Sequence, residues 1–265
     1  MSTKKNKRTD LSSLVSKYQR YSVVSEIEHN LLGATGFQTP IDDLNLSDLF
    51  LEENYDLSLY SSLEDSIRKE GFFVPLIIVK NGDKLEIING VKRYLLAKKI
   101  GLKTLTTVKA DLSTERKFAY ILENIQAEGD SALVKAYAFG VLKDKYGYDE
   151  KKLAELSSTS IAQVRNLLRL KQLPLFLKEA MISFKISYGE ARSLLNLPLE
   201  KQKELYEKII NGSLSVRELE KEKRTYAGTQ KKTKVTKSKN KITITFTNEK
   251  EAEKYYPRLF KEFSD

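Results

Sequence analysis

Between residues 159 and 169 the chain sets Thr159, Ser160, Ala162, Gln163, Arg165, Asn166 and Arg169 along one side of a short helix. Hydroxyls, side-chain amides and guanidiniums of this kind hydrogen-bond base edges or hold phosphate oxygens. Val164 and Leu167 recur between them at helical spacing and require a core. Ile161 fits either side, inward or against a thymine methyl. The chemistry these residues offer is recognition of duplex nucleic acid.

A reader helix needs a platform. Residues 149–156 carry Leu153, Ala154 and Leu156 on a preceding helix, and Ser157, Ser158 and Thr159 break it. The second helix starts near Ser160 and must stop before Pro174. Ala154 sits where two crossing helices need a small side chain, with Val164 and Leu167 ten and thirteen residues further on. This spacing predicts a helix-turn-helix over 149–173, whose second helix enters the DNA major groove. The turn position often held by Gly is Ser158, which must adopt a left-handed conformation or reshape the turn.

Composition narrows the function classes. There is no cysteine and one histidine, His29, among 265 residues. Disulfides, thiolate catalysis and Cys- or His-built zinc sites are excluded, and a Ser-His-Asp triad would have to use His29. No apolar run approaches a membrane span, and no apolar block follows the basic start as a signal peptide requires, so the expected compartment is the cytoplasm. The net charge of +10 is uneven: residues 1–20 carry +5, 221–241 carry +8 and 149–192 carry +3, while the rest sums to −6. Two basic tails and one basic domain imply an anionic polymer as partner.

The remaining pattern predicts an α+β chain. Residues 1–36 read as a basic flexible arm. A small mixed α/β domain follows over 37–128, with a helix at 62–70 and two β-branched runs around Asn81 and Gly82, a hairpin signal. Asn89 and Gly90 then form a strand–Gly–helix junction. An all-α helix-turn-helix domain is expected over 129–222, with capping-box spacings at Ser187 with Glu190 and Ser215 with Glu218. Residues 223–240 read as a basic linker. Residues 241–265 read as one strand and one helix, too little to bury an apolar face, and are expected to dimerise with a second copy.

The motif order SIRKEGFFVPLIIV, INGVKRYLLAKKIGL, ENIQ, NLLRLKQLP, ISYGEARSLL and LSVRELE resembles the ParB family of DNA-partition proteins over about residues 41–220. The resemblance implies a nucleotide-binding N-terminal domain and a helical domain for a palindromic, centromere-like site on double-stranded DNA. It also implies a homodimer that closes as a CTP-gated sliding clamp, associated with nucleoid or plasmid. A ParA-type ATPase would engage the arm through Lys4, Lys5, Lys7 and Arg8, where nonspecific DNA contact is the other reading. Lys171 and Arg192 are assigned to DNA phosphates.

For CTP and Mg the resemblance points to Gly90, Lys92, Arg93, Glu123, Asn124 and Gln126, with Glu123 and Asn124 facing the metal. The chain departs from the family pattern at several of these positions. Val91 replaces a Glu, Leu95 and Ala127 replace Arg, Val74 replaces Gln, and Lys92 stands for an Arg. A Lys is a point charge where Arg offers a bidentate fork. At most weak CTP hydrolysis is expected, and a ParB-like transcriptional regulator without a nucleotide cycle is the alternative. Two cations in the first turn of a helix oppose its dipole, which implies an anion nearby. Sulfiredoxin-like enzymes share the N-terminal fold but need a Cys. A kinase would need a carboxylate where Val91 stands.

Overall fold

The computed structural model describes residues 23–31, 36–71, 74–229, 234–238, 241–246, 252–253 and 255–256. Lys4, Lys5, Lys7 and Arg8, and most of the expected C-terminal helix, lie outside them. The chain divides into two compact units, Met1–Tyr188 and Gly189–Asp265.

The first unit opens on α1 (Val23–Asn30), within the stretch expected as an arm. A five-stranded sheet follows: β1 (Phe37–Pro40), β2 (Leu44–Leu46), β3 (Leu76–Asn81), β4 (Lys84–Asn89) and β5 (Thr104–Lys109), in the order β1-β5-β3-β4-β2. Between β1 and β2 lies a 3-10 turn at Ile41–Asp43, and the two strands lie on opposite edges of the sheet. The β3–β4 hairpin pairs Asn81 with Lys84, leaving Gly82 and Asp83 as a two-residue turn. Gly82 takes the positive φ of 63° that such hairpin turns require.

Leu76, Ile77, Ile78 and Val79 are all buried. Successive strand residues point to opposite faces, so β3 is covered on both sides. Helices α2 (Ser61–Glu70) and α3 (Val91–Ile100) pack on each other, α3 packs on β3, and α4 (Thr114–Ala127) packs on β4. Phe118, Tyr120, Ile121 and Leu122 of α4 are fully buried and form its inner face.

The helical part continues with α5 (Ala132–Asp144), α6 (Glu150–Leu156), α7 (Ile161–Leu168), a 3-10 turn at Arg169–Gln172, and α8 (Leu175–Ile182). Asp149 caps α6 by accepting from Lys152 N at 2.7 Å, and Ser160 caps α7 by accepting from Gln163 N at 3.2 Å. Between them Ser158 is left-handed, with φ 50°. Ser158 N donates to Glu155 O and Thr159 N to Ala154 O, a Schellman closure made without glycine. A left-handed L-residue costs roughly 1–2 kcal/mol, partly offset in a Gly variant by its greater chain entropy. Ser158→Gly is therefore expected to raise the unfolding free energy by about 0.5–1 kcal/mol, read as a higher urea midpoint at unchanged slope.

The second unit holds α9 (Tyr188–Leu194), α10 (Leu199–Ile210) and α11 (Val216–Thr229). Leu194, Leu205 and Leu219 are fully buried in it. Ser215 and Glu218 form a reciprocal capping box, each accepting from the other's backbone N–H.

Two expectations are corrected here. Residues 223–229, assigned to a linker, continue α11, and Lys234–Ser238 form β6. β6 pairs antiparallel with β7 (Lys241–Thr245), so the tail strand has a partner within its own chain. The lysine density of the stretch hid Val235 and Thr236, whose β-branched side chains favour an extended backbone.

Candidate functional site

The helix-turn-helix is assembled by burial on one side only. Leu153 and Ala154 of α6 and Val164 and Leu167 of α7 are buried, and α7 packs against α6 and α5. Ser160, Ala162, Gln163 and Arg165 are exposed, while Thr159, Asn166 and Arg169 are half-buried. Ile161 is 38% exposed, so it lies on the solvent side of the helix. The polar set thus spans the exposed side of α7 and its two ends, with Thr159 and Ser160 before it and Arg169 in the following 3-10 turn, while the inner side is locked into the core.

Arg165 and Lys171 are each paired with a carboxylate. Arg165 Nε donates to Glu150 Oε2 at 2.6 Å, and this bond, joined by Lys143, holds the Glu150 carboxyl below its usual range. Lys171 Nζ lies 2.7 Å from Asp144 Oδ2, and its stem crosses Gly140, where an added Cβ would come within 2.6 Å of it. Glu150, which orients Arg165, was not among the residues picked from the sequence. Arg192 is exposed on α9 in the second unit.

The second candidate site is the β4–Gly90–α3 junction. Gly90 is left-handed at φ 89°, and a Cβ there would meet Leu76 at 2.5 Å and Arg93 at 2.9 Å. Arg93 Nη1 donates to Pro75 O at 3.1 Å and also to Val74 O. Burial moves its guanidinium below its ordinary value. Val91 and Leu95, where the family pattern carries charge, are buried core residues.

Lys92 Nζ lies 2.6 Å from Asp130 and 3.4 Å from the Glu128 carboxylate, donates to Glu128 O at 3.2 Å, and sits 5.4 Å from the centre of the Tyr60 ring. Burial pulls this ammonium down, but the bond to Asp130 and the charges of Asp130 and Glu128 together outweigh that and hold it above its ordinary value. The anion implied beside the helix start is therefore, in this structure, the protein's own carboxylate pair. Neither residue was singled out from the sequence, although both lie in the short acidic stretch just after the ENIQ motif.

The other nucleotide candidates are also engaged. Glu123 Oε2 accepts from Val23 N at 2.9 Å and Val24 N at 3.3 Å, capping α1. Asn124 is buried and donates to Tyr120 O at 3.2 Å. Gln126 Oε1 accepts from Lys135 Nζ at 2.8 Å. A crevice of about 10 Å³ lies beside Gly90, between Phe50, Tyr55, Ile88, Asn124 and Asp130. Lys92, the cation assigned to phosphate, is instead paired with Asp130 and Glu128. Among the described residues no group of three or more His, Cys, Asp or Glu converges as a metal site.

Comparison with known proteins places these sites in a family. Residues 34–125 match the ParB N-terminal domain and residues 128–228 match the ParB HTH domain. A probable chromosome-partitioning protein ParB of Campylobacter jejuni is 30% identical over 218 residues, covering 82% of this chain and 77% of that protein. The chain belongs to the ParB family. It is also 33% identical to the probable ParB of Neisseria meningitidis, covering 64% of this chain and 59% of the relative, and 31% identical to stage 0 sporulation protein J of Bacillus subtilis, covering 68% and 64%. Among solved structures it is similar to a truncated Caulobacter crescentus ParB complexed to the centromeric parS site, at 24% identity, 71% and 99% coverage and a TM-score of 0.42. Among the described residues no helix is long and apolar enough to cross a membrane.

Proposed function

We propose that this chain is a site-specific, dimeric DNA-binding protein of chromosome or plasmid partition, acting in the cytoplasm on nucleoid or plasmid DNA. The observation that carries this reading is the outward polar face of α7, held by the buried Val164 and Leu167 and started by the Ser160 cap. Relatives are named chromosome-partitioning proteins, and the Caulobacter neighbour was crystallised with parS. The exposed Ile242 of β7 and exposed Tyr255 and Tyr256 beyond it supply apolar surface for a C-terminal dimer contact. Selection from randomised duplex DNA tests the proposal. An enriched palindrome is expected, and recovery of unrelated sequences would end it.

A CTP-gated clamp working with a ParA-type ATPase is the fuller form of this proposal, supported by a Caulobacter ParB solved with a CTP analogue. For this chain CTP binding requires that Asp130 and Glu128 give up Lys92. A regulator without a nucleotide cycle is the second reading, favoured by that carboxylate pair and by the apolar Val91 and Leu95. Calorimetry with CTP and Mg separates them: binding supports the clamp, and its absence the regulator. If the carboxylates compete with phosphates, Asp130→Asn should tighten CTP binding by roughly 3–10-fold, as loss of one partly buried competing ion pair implies.

A further inference from the structure

A cavity of about 400 Å³ lies at the start of α5 in the first unit, within the size range of small-molecule sites. Ile125, Leu167, Met181 and Phe184 line it with apolar surface, and its charged groups are Lys135 and Asp130, the latter already paired with Lys92. The junction at Gly90 is not part of it.

Lys135 is out of place by ordinary rules. It is 8% exposed, on a helix whose neighbouring buried positions are Leu133, Val134, Ala136 and Ala138. Its ammonium donates to the neutral Gln126 amide oxygen at 2.8 Å and lies 5.8 Å from the centre of the Phe139 ring. Among the described residues it makes no other hydrogen bond and no ion pair. Burial moves it below its ordinary value, and no carboxylate offsets that shift. Buried charges are costly unless paired, and every other lysine as deeply buried here has a carboxylate: Lys117 has Glu86.

Phe184 is the second anomaly. It holds a left-handed φ of 54° and is 54% exposed. A bulky residue in that region is strained, and such strain gathers at ligand clamps. Its backbone closes the end of α8 through Lys185 N to Ala180 O, and its side chain lines the cavity while staying half-exposed.

We propose that this cavity binds a small aromatic carboxylate, its ring against Phe184, Leu167 and Met181 and its carboxylate on Lys135 Nζ. A monoanion matches the single uncompensated cation, where a phosphate dianion would leave charge buried. Gln163 of α7 shares the wall, which puts the occupant one side chain from the DNA-reading face. Asp130, which holds Lys92 at the nucleotide junction, is also in the wall, so the two sites share one residue.

The test is an amide NMR titration of the full chain with sodium benzoate, its neutral isostere benzamide, and inorganic phosphate. Benzoate is expected to shift signals from α5, α7 and Phe184 saturably, with benzamide weaker by about tenfold, the discrimination one ion pair gives, and phosphate without effect there. Lys135→Met should abolish the preference for benzoate, while melting at or above the wild-type temperature because it removes an unpaired buried charge. Equal binding of benzoate and benzamide, a preference that survives in Lys135→Met, binding of phosphate at the same signals, or no binding at all would overturn the proposal. So would a Lys135→Met variant that melts well below wild type, since the ammonium would then be structural.

Discussion

Glu86→Ala is expected to destabilise the first unit by about 3–5 kcal/mol, the cost of stranding a buried charge. Glu86 of β4 receives both of its strong bonds from Lys117 of α4, at 3.0 Å and 2.9 Å, and a third from Asn81 Nδ2 at 3.1 Å. Both side chains are over nine-tenths buried. Removing the carboxylate leaves the Lys117 ammonium without an ion pair, facing the Phe118 ring 5.0 Å from its centre, with Asp48 acting on it only through its charge. Removing both charges is a different experiment. A Glu86→Met, Lys117→Met double variant should lie close to wild type, because hydrophobic replacement of a buried pair is often neutral or stabilising. Urea unfolding followed by far-UV circular dichroism checks both. A single variant that lost less than the double would show that the pair is solvated in solution.

The second large effect is at the DNA interface. Alanine at Gln163, Arg165 or Asn166 should cost about 1–3 kcal/mol of discrimination at one base position, the worth of a good bidentate contact. Lys171→Ala or Arg192→Ala should weaken binding evenly across sequences and flatten the salt dependence by about one unit each. Arg165 must leave Glu150 to reach a base. That pair is solvent-exposed on the arginine side, where water and salt screen it, so it is weak. The base contact therefore wins. Competition between the selected site and its single-base variants at fixed salt distinguishes the two groups. If all five variants behaved alike, the division into readers and phosphate contacts would be wrong.

The features legible in the chain were those that neighbours in sequence decide. The helix-turn-helix spacing, the Asn81–Gly82 hairpin, the Ser215–Glu218 capping box and the left-handed Ser158 each depend on a few consecutive residues. The fold class followed from the same local periodicity. The β6 strand was missed because its lysines outweigh Val235 and Thr236 in any short window, and pairing with β7 decided the matter.

The nucleotide junction shows the opposite case. Lys92 and Arg93 were visible as two cations at a helix start. Their partners were not, because Asp130 lies 38 residues further on, at the start of another helix, and Val74 and Pro75 contribute backbone oxygens that no side-chain pattern marks. Glu123 could be read as a carboxylate free for a metal, yet α1 folds back to place two amides on it. Sequence by itself determined which side chains stand on which helix, since that is set by 3.6-residue periodicity and caps. Only the tertiary structure decided which charges are already neutralised, since a counter-ion is chosen by distance in space, and distance in space is what the chain order does not record.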